Sequence, residues 1–71
     1  MISIEQLVAG DTFRMNGNNQ EFRVIVNSID YVLIENTSTL EYESLYHDIP
    51  HLVIPISCAY LNNLAVEYHA L

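Results

Sequence analysis

Chemistry needs particular side chains within reach of one another, and few positions in this chain offer it. His47 and His51 have the H-x₃-H spacing of zinc sites, with Asp48 beside them. Pro50 between them opposes the helix that would put both imidazoles on one face, and no second Cys or His pair supplies the remaining ligands. Both histidines are therefore expected on a surface loop, and no metal or other cofactor is expected. Cys58 would sit in the first turn of a helix, where a thiol pKa falls, but free Cys is among the most buried residue types and burial is the expectation.

Other catalytic constellations lack their parts. Two glycines, Gly10 and Gly17, make no phosphate-binding loop, and no Ser is flanked by the glycines of a nucleophile elbow. Glu41 and Glu43 alternate along one stretch, the pattern of a solvated strand face. An enzyme is not expected. The five tyrosines offer something different, since a Tyr ring gives contact area and its hydroxyl a polar handle. Tyr42 and Tyr46 interleave with Glu41 and Glu43, and with Glu35 they form a candidate acidic, aromatic face for an Arg-rich surface. The competing expectation for each ring is a place in the core.

Charge supports a binding role. Nine Asp and Glu stand against Arg14 and Arg23, with no Lys, giving a formal net charge of −7. Such a surface repels phosphate backbones, so direct nucleic-acid binding is not expected, and a protein partner with a basic surface is. Acidity is also a common route to solubility.

The elements that must position these residues read as strands. Ser3 caps a single helical turn through Leu7, and Gly10-Asp11 turns the chain into a strand at Thr12–Met15. Asn16-Gly17-Asn18-Asn19 is a hairpin turn, because Asn and Gly tolerate positive φ. Glu21–Asn27 alternates, with Phe22, Val24 and Val26 on one face and Arg23, Ile25 and Asn27 on the other. Ser28-Ile29-Asp30 turns into Tyr31–Glu35, and Asn36-Thr37-Ser38 into Thr39–Tyr46, which sets Leu40, Tyr42 and Tyr46 opposite Glu41 and Glu43. Leu52–Ile54 is a brief fifth strand ended by Pro55. Ser57 then caps a short helix over Cys58–Leu64, ended near Asn63, and a tail returns Val66 and Tyr68 to the sheet.

At 71 residues the chain has room for one core, so residues 1–71 are read as a single domain. The fold class is mainly β: a small SH3-like bent antiparallel sheet or barrel of four to five strands with one short C-terminal helix. The alternative is an open antiparallel sheet with that helix across one face. A core this small leaves only about 3–5 kcal/mol, and one Cys forbids an internal disulfide, so a homo-oligomer or docking onto a partner stays open. No basic leader precedes an apolar run and no apolar stretch approaches about 18 residues, so a cytoplasmic location without membrane contact is expected. Asn36-Thr37-Ser38 matches the glycosylation acceptor pattern, read as chance in that compartment.

The order of features resembles short small-barrel proteins of Bacteroidetes phages and prophages, which combine a Leu-x-x-Gly start with a closing Ile-Pro segment and a capped helix. The matching positions are Leu7 and Gly10, then Asp48-Ile49, Ile54-Pro55-Ile56-Ser57, Tyr60-Leu61, Leu64 and Val66. The chain departs from that pattern at Cys58 and Ala59, where the family has paired Glu, and at Ala65, where it has Gly. The resemblance implies a barrel and a mobile-element origin without an activity. With the charge, it suggests a phage-encoded inhibitor, active in the host cytoplasm, that occupies a nucleic-acid-binding surface of a host protein such as a defence enzyme. A small-ligand or nucleotide-binding oligomeric barrel and a virion assembly component are the other readings.

Overall fold

The computed structural model describes residues 1–15 and 17–57. Six strands form one antiparallel sheet: β1 (Ile2–Ser3), β2 (Thr12–Met15), β3 (Glu21–Asn27), β4 (Tyr31–Asn36), β5 (Tyr42–Tyr46) and β6 (Leu52–Ser57). Their order is β1-β6-β2-β3-β4-β5, so the middle four make a meander while β6 returns between β1 and β2. Among the described residues the sheet is open, and β1 and β5 are its edges. The expected C-terminal helix and tail, with Cys58, lie outside the described residues.

Alternation builds the core. Phe13, Phe22, Val24, Val32, Ile34 and Val53 project from one face, and Ile4, in the 3-10 turn Ile4–Gln6, and Leu7, just after it, close over them, all eight buried. Phe13 and Phe22 face each other in register with ring centroids 5.7 Å apart. The 3-10 turn starts as its sequence demands, Ser3 Oγ accepting from the Glu5 N–H at 3.3 Å. Asp11 is buried, and its carboxylate accepts from the Val8 N–H at 2.9 Å, holding the turn into β2.

Turn chemistry sets the connections. Gly17 takes φ +78°, and Asn18 Oδ1 accepts from the Gln20 N–H at 2.7 Å. Asn36 Oδ1 accepts from the Ser38 and Thr39 N–H groups at 2.9 and 3.1 Å, which commits this side chain to the turn. The same loop forces Leu40 to φ +63°, a left-handed conformation unfavourable for a residue with a Cβ.

Four expectations need correction. The described residues carry six strands rather than four to five, because β1 is two residues long and leaves no periodic signal. The strand expected over Thr39–Tyr46 starts only at Tyr42, the turn having consumed Thr39 and Leu40. Pro55 does not end the last strand, which runs to Ser57. β1 pairs only with Leu52 and Val53, and a register shift relaxes the ladder between Thr12 and Phe13, so Pro55 needs no partner for the N–H it lacks. Finally, Val26 is not core. A register shift between Val24 and Val26 inserts Ile25 as an extra residue, which turns Val26 out to 44% exposure and Asn27 in, opposite buried Val32.

Candidate interaction site

The candidate face is built on β4, β5 and the loop joining them. In register, Glu35 pairs with Tyr42, Leu33 with Ser44 and Tyr31 with Tyr46, and these side chains share the face turned away from the core. Glu43 and Leu45 pair with buried Ile34 and Val32, so they project on the core side. Leu45 packs there, whereas Glu43 stays exposed at the sheet edge.

Among the described residues, Tyr31, Tyr42 and Tyr46 do not fill the core. Tyr42 and Tyr46 are 63% and 59% exposed, because β5 lies at the edge and neither ring shares the face of Val32 and Ile34. Tyr46 leans on Tyr31, with centroids 6.0 Å apart and planes at 53°, and Val26 continues this apolar patch from β3. Glu35 is the least accessible of the five expected residues; Arg23 reaches to 3.8 Å from its carboxylate, so part of its charge is answered within the chain.

The structure brings Glu41, Tyr42 and Glu43 together. They line an open hollow of about 370 Å³ with Gln20, Phe22, Asn36 and Thr39. Phe22 and the carboxylates of Glu41 and Glu43 line it, and Tyr42 borders it where the edge strand begins. Such a hollow suits the aliphatic stem and cationic head of Lys or Arg: the stem lies along apolar ring surface and the charge meets Glu41 and Glu43. Glu35 and Tyr46 lie outside this hollow, on the opposite face. The five residues therefore surround one end of the sheet rather than forming one flat face.

No protein-family model, curated protein or solved structure matches the chain. Among the described residues no group of three or more His, Cys, Asp and Glu is placed to hold a metal ion, and no helix is long and apolar enough to cross a membrane.

At the other end of β5, His47 lies in a loop as expected, but its side chain turns inward, only 12% exposed, and closes a network with Asn27. Asn27 Nδ2 donates to the carbonyls of Leu7 at 2.7 Å and Ile4 at 3.1 Å, which fixes its Oδ1 toward His47 Nε2, 3.0 Å away. Ser28 O also faces that nitrogen at 3.1 Å, so Nε2 carries the proton and donates. Nδ1 faces the Glu5 carboxylate at 3.5 Å. His51 is elsewhere occupied, its carbonyl accepting from the Ile4 N–H at 2.9 Å. The missed signal is the run Val24-Ile25-Val26, three apolar residues in succession where strict alternation allows one.

Proposed function

We propose that this chain is a small acidic protein-interaction module that engages a basic, nucleic-acid-binding surface of another protein. Combined with the phage resemblance of its terminal motifs, the reading becomes a phage-encoded inhibitor acting in the host cytoplasm. The observation that carries it is the convergence of Glu41 and Glu43 with Tyr42 around one open hollow, on a lysine-free chain of net charge −7. Carboxylates on one side of the edge strand and exposed aromatic rings on the other offer ion pairing and cation–π contact to different Arg or Lys side chains of one basic surface, the groups by which such a surface would otherwise hold phosphate.

The finer fold reading, an SH3-like bent sheet, has support in the strand order. The first and last described strands are neighbours, and a meander completes the sheet. Nucleotide binding has less support, since the hollow is acidic and Arg23 leans on Glu35.

The test is capture of host proteins by the tagged chain at low and high salt, beside a variant carrying Glu35→Gln, Glu41→Gln and Glu43→Gln. The reading expects one basic nucleic-acid-handling protein, retained at low salt, released at high salt and lost from the variant. A partner held equally by the variant and at high salt would overturn it.

A further inference from the structure

The two edges of the sheet differ in what they offer. β1 is two residues long, whereas β5 presents five, Tyr42–Tyr46. Which backbone groups of β5 are open follows from the bonds at its ends. The Asn36 N–H donates to Glu41 O, and the His47 N–H donates to Asp30 O, both at 2.9 Å, so residues 41 and 47 turn their peptide groups toward β4. Antiparallel ladders alternate, and the register from Tyr31↔Tyr46 to Glu35↔Tyr42 runs without a shift. Glu43 and Leu45 therefore bond inward, and the N–H and C=O groups of Tyr42, Ser44 and Tyr46 face the open edge. A strand docked there in antiparallel register would make about six backbone hydrogen bonds, two at each of those residues.

Such an edge is ordinarily blunted by Lys, Pro or a bulge. β5 has neither Lys nor Pro, and its pairing with β4 is unbulged, unlike β3 with β4 and β2 with β6. What guards it is negative charge, Glu43 on its core side and Glu41 just before it. That guard is selective. A second copy would bring another net charge of −7 to the same edge, whereas a strand bearing Arg or Lys would bring the opposite sign.

We infer that β5 is a docking edge for an extended basic strand of another protein, which adds to the sheet beside Tyr42, Ser44 and Tyr46 and projects alternate Arg or Lys side chains over the Glu41–Glu43 hollow. This deepens the interaction reading and rests on it. The side chains of the added strand that point to the other face would cross the rings of Tyr42 and Tyr46, so main-chain bonds hold the strand while charge selects it.

The experiment uses the full chain, ¹⁵N-labelled, titrated with an acetylated and amidated hexapeptide of alternating Arg and Val. Its signature is perturbation and slowed exchange of the Tyr42, Ser44 and Tyr46 amides, with Glu43 and Leu45 little changed. Ser44→Pro removes an outward N–H without touching the ladder to β4, so it should fold and bind the peptide about tenfold or more weakly, while Ser44→Ala binds as the parent does. A peptide N-methylated on its edge-facing amides gives the same answer from the ligand side, should Ser44→Pro fail to fold.

Glu41→Gln with Glu43→Gln should weaken binding several-fold and flatten its salt dependence. If Ser44→Pro and the N-methylated peptide bind normally while the Gln variant does not, strand addition is overturned and the acidic module stands. If only the Gln variant binds normally, strand addition stands without charge selection, which overturns the basic occupant. Ser44→Pro-sensitive dimerisation of the free chain would assign the edge to a second copy instead, and unperturbed β5 amides at millimolar peptide would overturn the docking edge altogether.

Discussion

Replacing Asn27 with Ala should cost this protein much of its stability, though Asn27 reads in sequence as an outward-facing polar residue at a strand end. Its Nδ2 bonds the carbonyls of Ile4 and Leu7, the two residues that close the core, and its Oδ1 holds His47. Three hydrogen bonds at about 1 kcal/mol each give a loss of about 2–3 kcal/mol, less whatever water restores to the freed carbonyls. Against a total of about 3–5 kcal/mol for a core of this size, that removes from about two-fifths of the margin to nearly all of it. With a urea slope near 1 kcal/mol/M for so small a domain, the midpoint should fall by about 2–3 M. Urea unfolding followed by far-ultraviolet circular dichroism reads this directly, with Val26→Ala as the neighbour control, expected to cost only about 0.5 kcal/mol because Val26 faces solvent. If Asn27→Ala costs no more than Val26→Ala, Asn27 does not point inward and the extra residue in β3 is wrongly placed.

Three further outcomes follow from the same geometry. Leu40→Asn should raise stability by about 0.5–1 kcal/mol, since the side chain is 65% exposed and the backbone at φ +63° suits Asn better; an unchanged or lowered urea midpoint would contradict this. Phe13→Ala should leave the chain unfolded at room temperature, because a loss of about 3–5 kcal/mol equals the whole margin, and a cooperative unfolding transition in that variant would refute the assigned core. Asn36→Ala should cost about 1–2 kcal/mol by releasing the Ser38 and Thr39 N–H groups, checked by the same urea midpoint.

What the sequence made legible was local. β2 and β3 begin and end where alternation and turn residues place them, and Ser3 caps its turn as its hydroxyl allows. These features depend on neighbours a few residues apart. Register does not: the extra residue at Ile25 and the shift that accommodates Pro55 are relations between strands, and they decide that Asn27 and His47 point inward. The same limit applied to the candidate site. Glu41, Tyr42 and Glu43 could be nominated as acidic and aromatic from composition, but their gathering around Phe22 depends on the β3–β4–β5 pairing, and Glu35 and Tyr46 fall on the other face for the same reason. Tyr rings gave no signal of in or out, being amphipathic enough for either, until β5 proved to be an edge.

The account rests on the β5 end of the sheet being the binding surface, and hydrogen–deuterium exchange of the chain, free and bound to its captured basic protein, tests that claim most directly. The account predicts new protection concentrated at Tyr42, Ser44 and Tyr46, with β1 and the 3-10 turn unchanged. Protection confined to β1, the 3-10 turn and β6, with β5 exchanging as in the free chain, would contradict it.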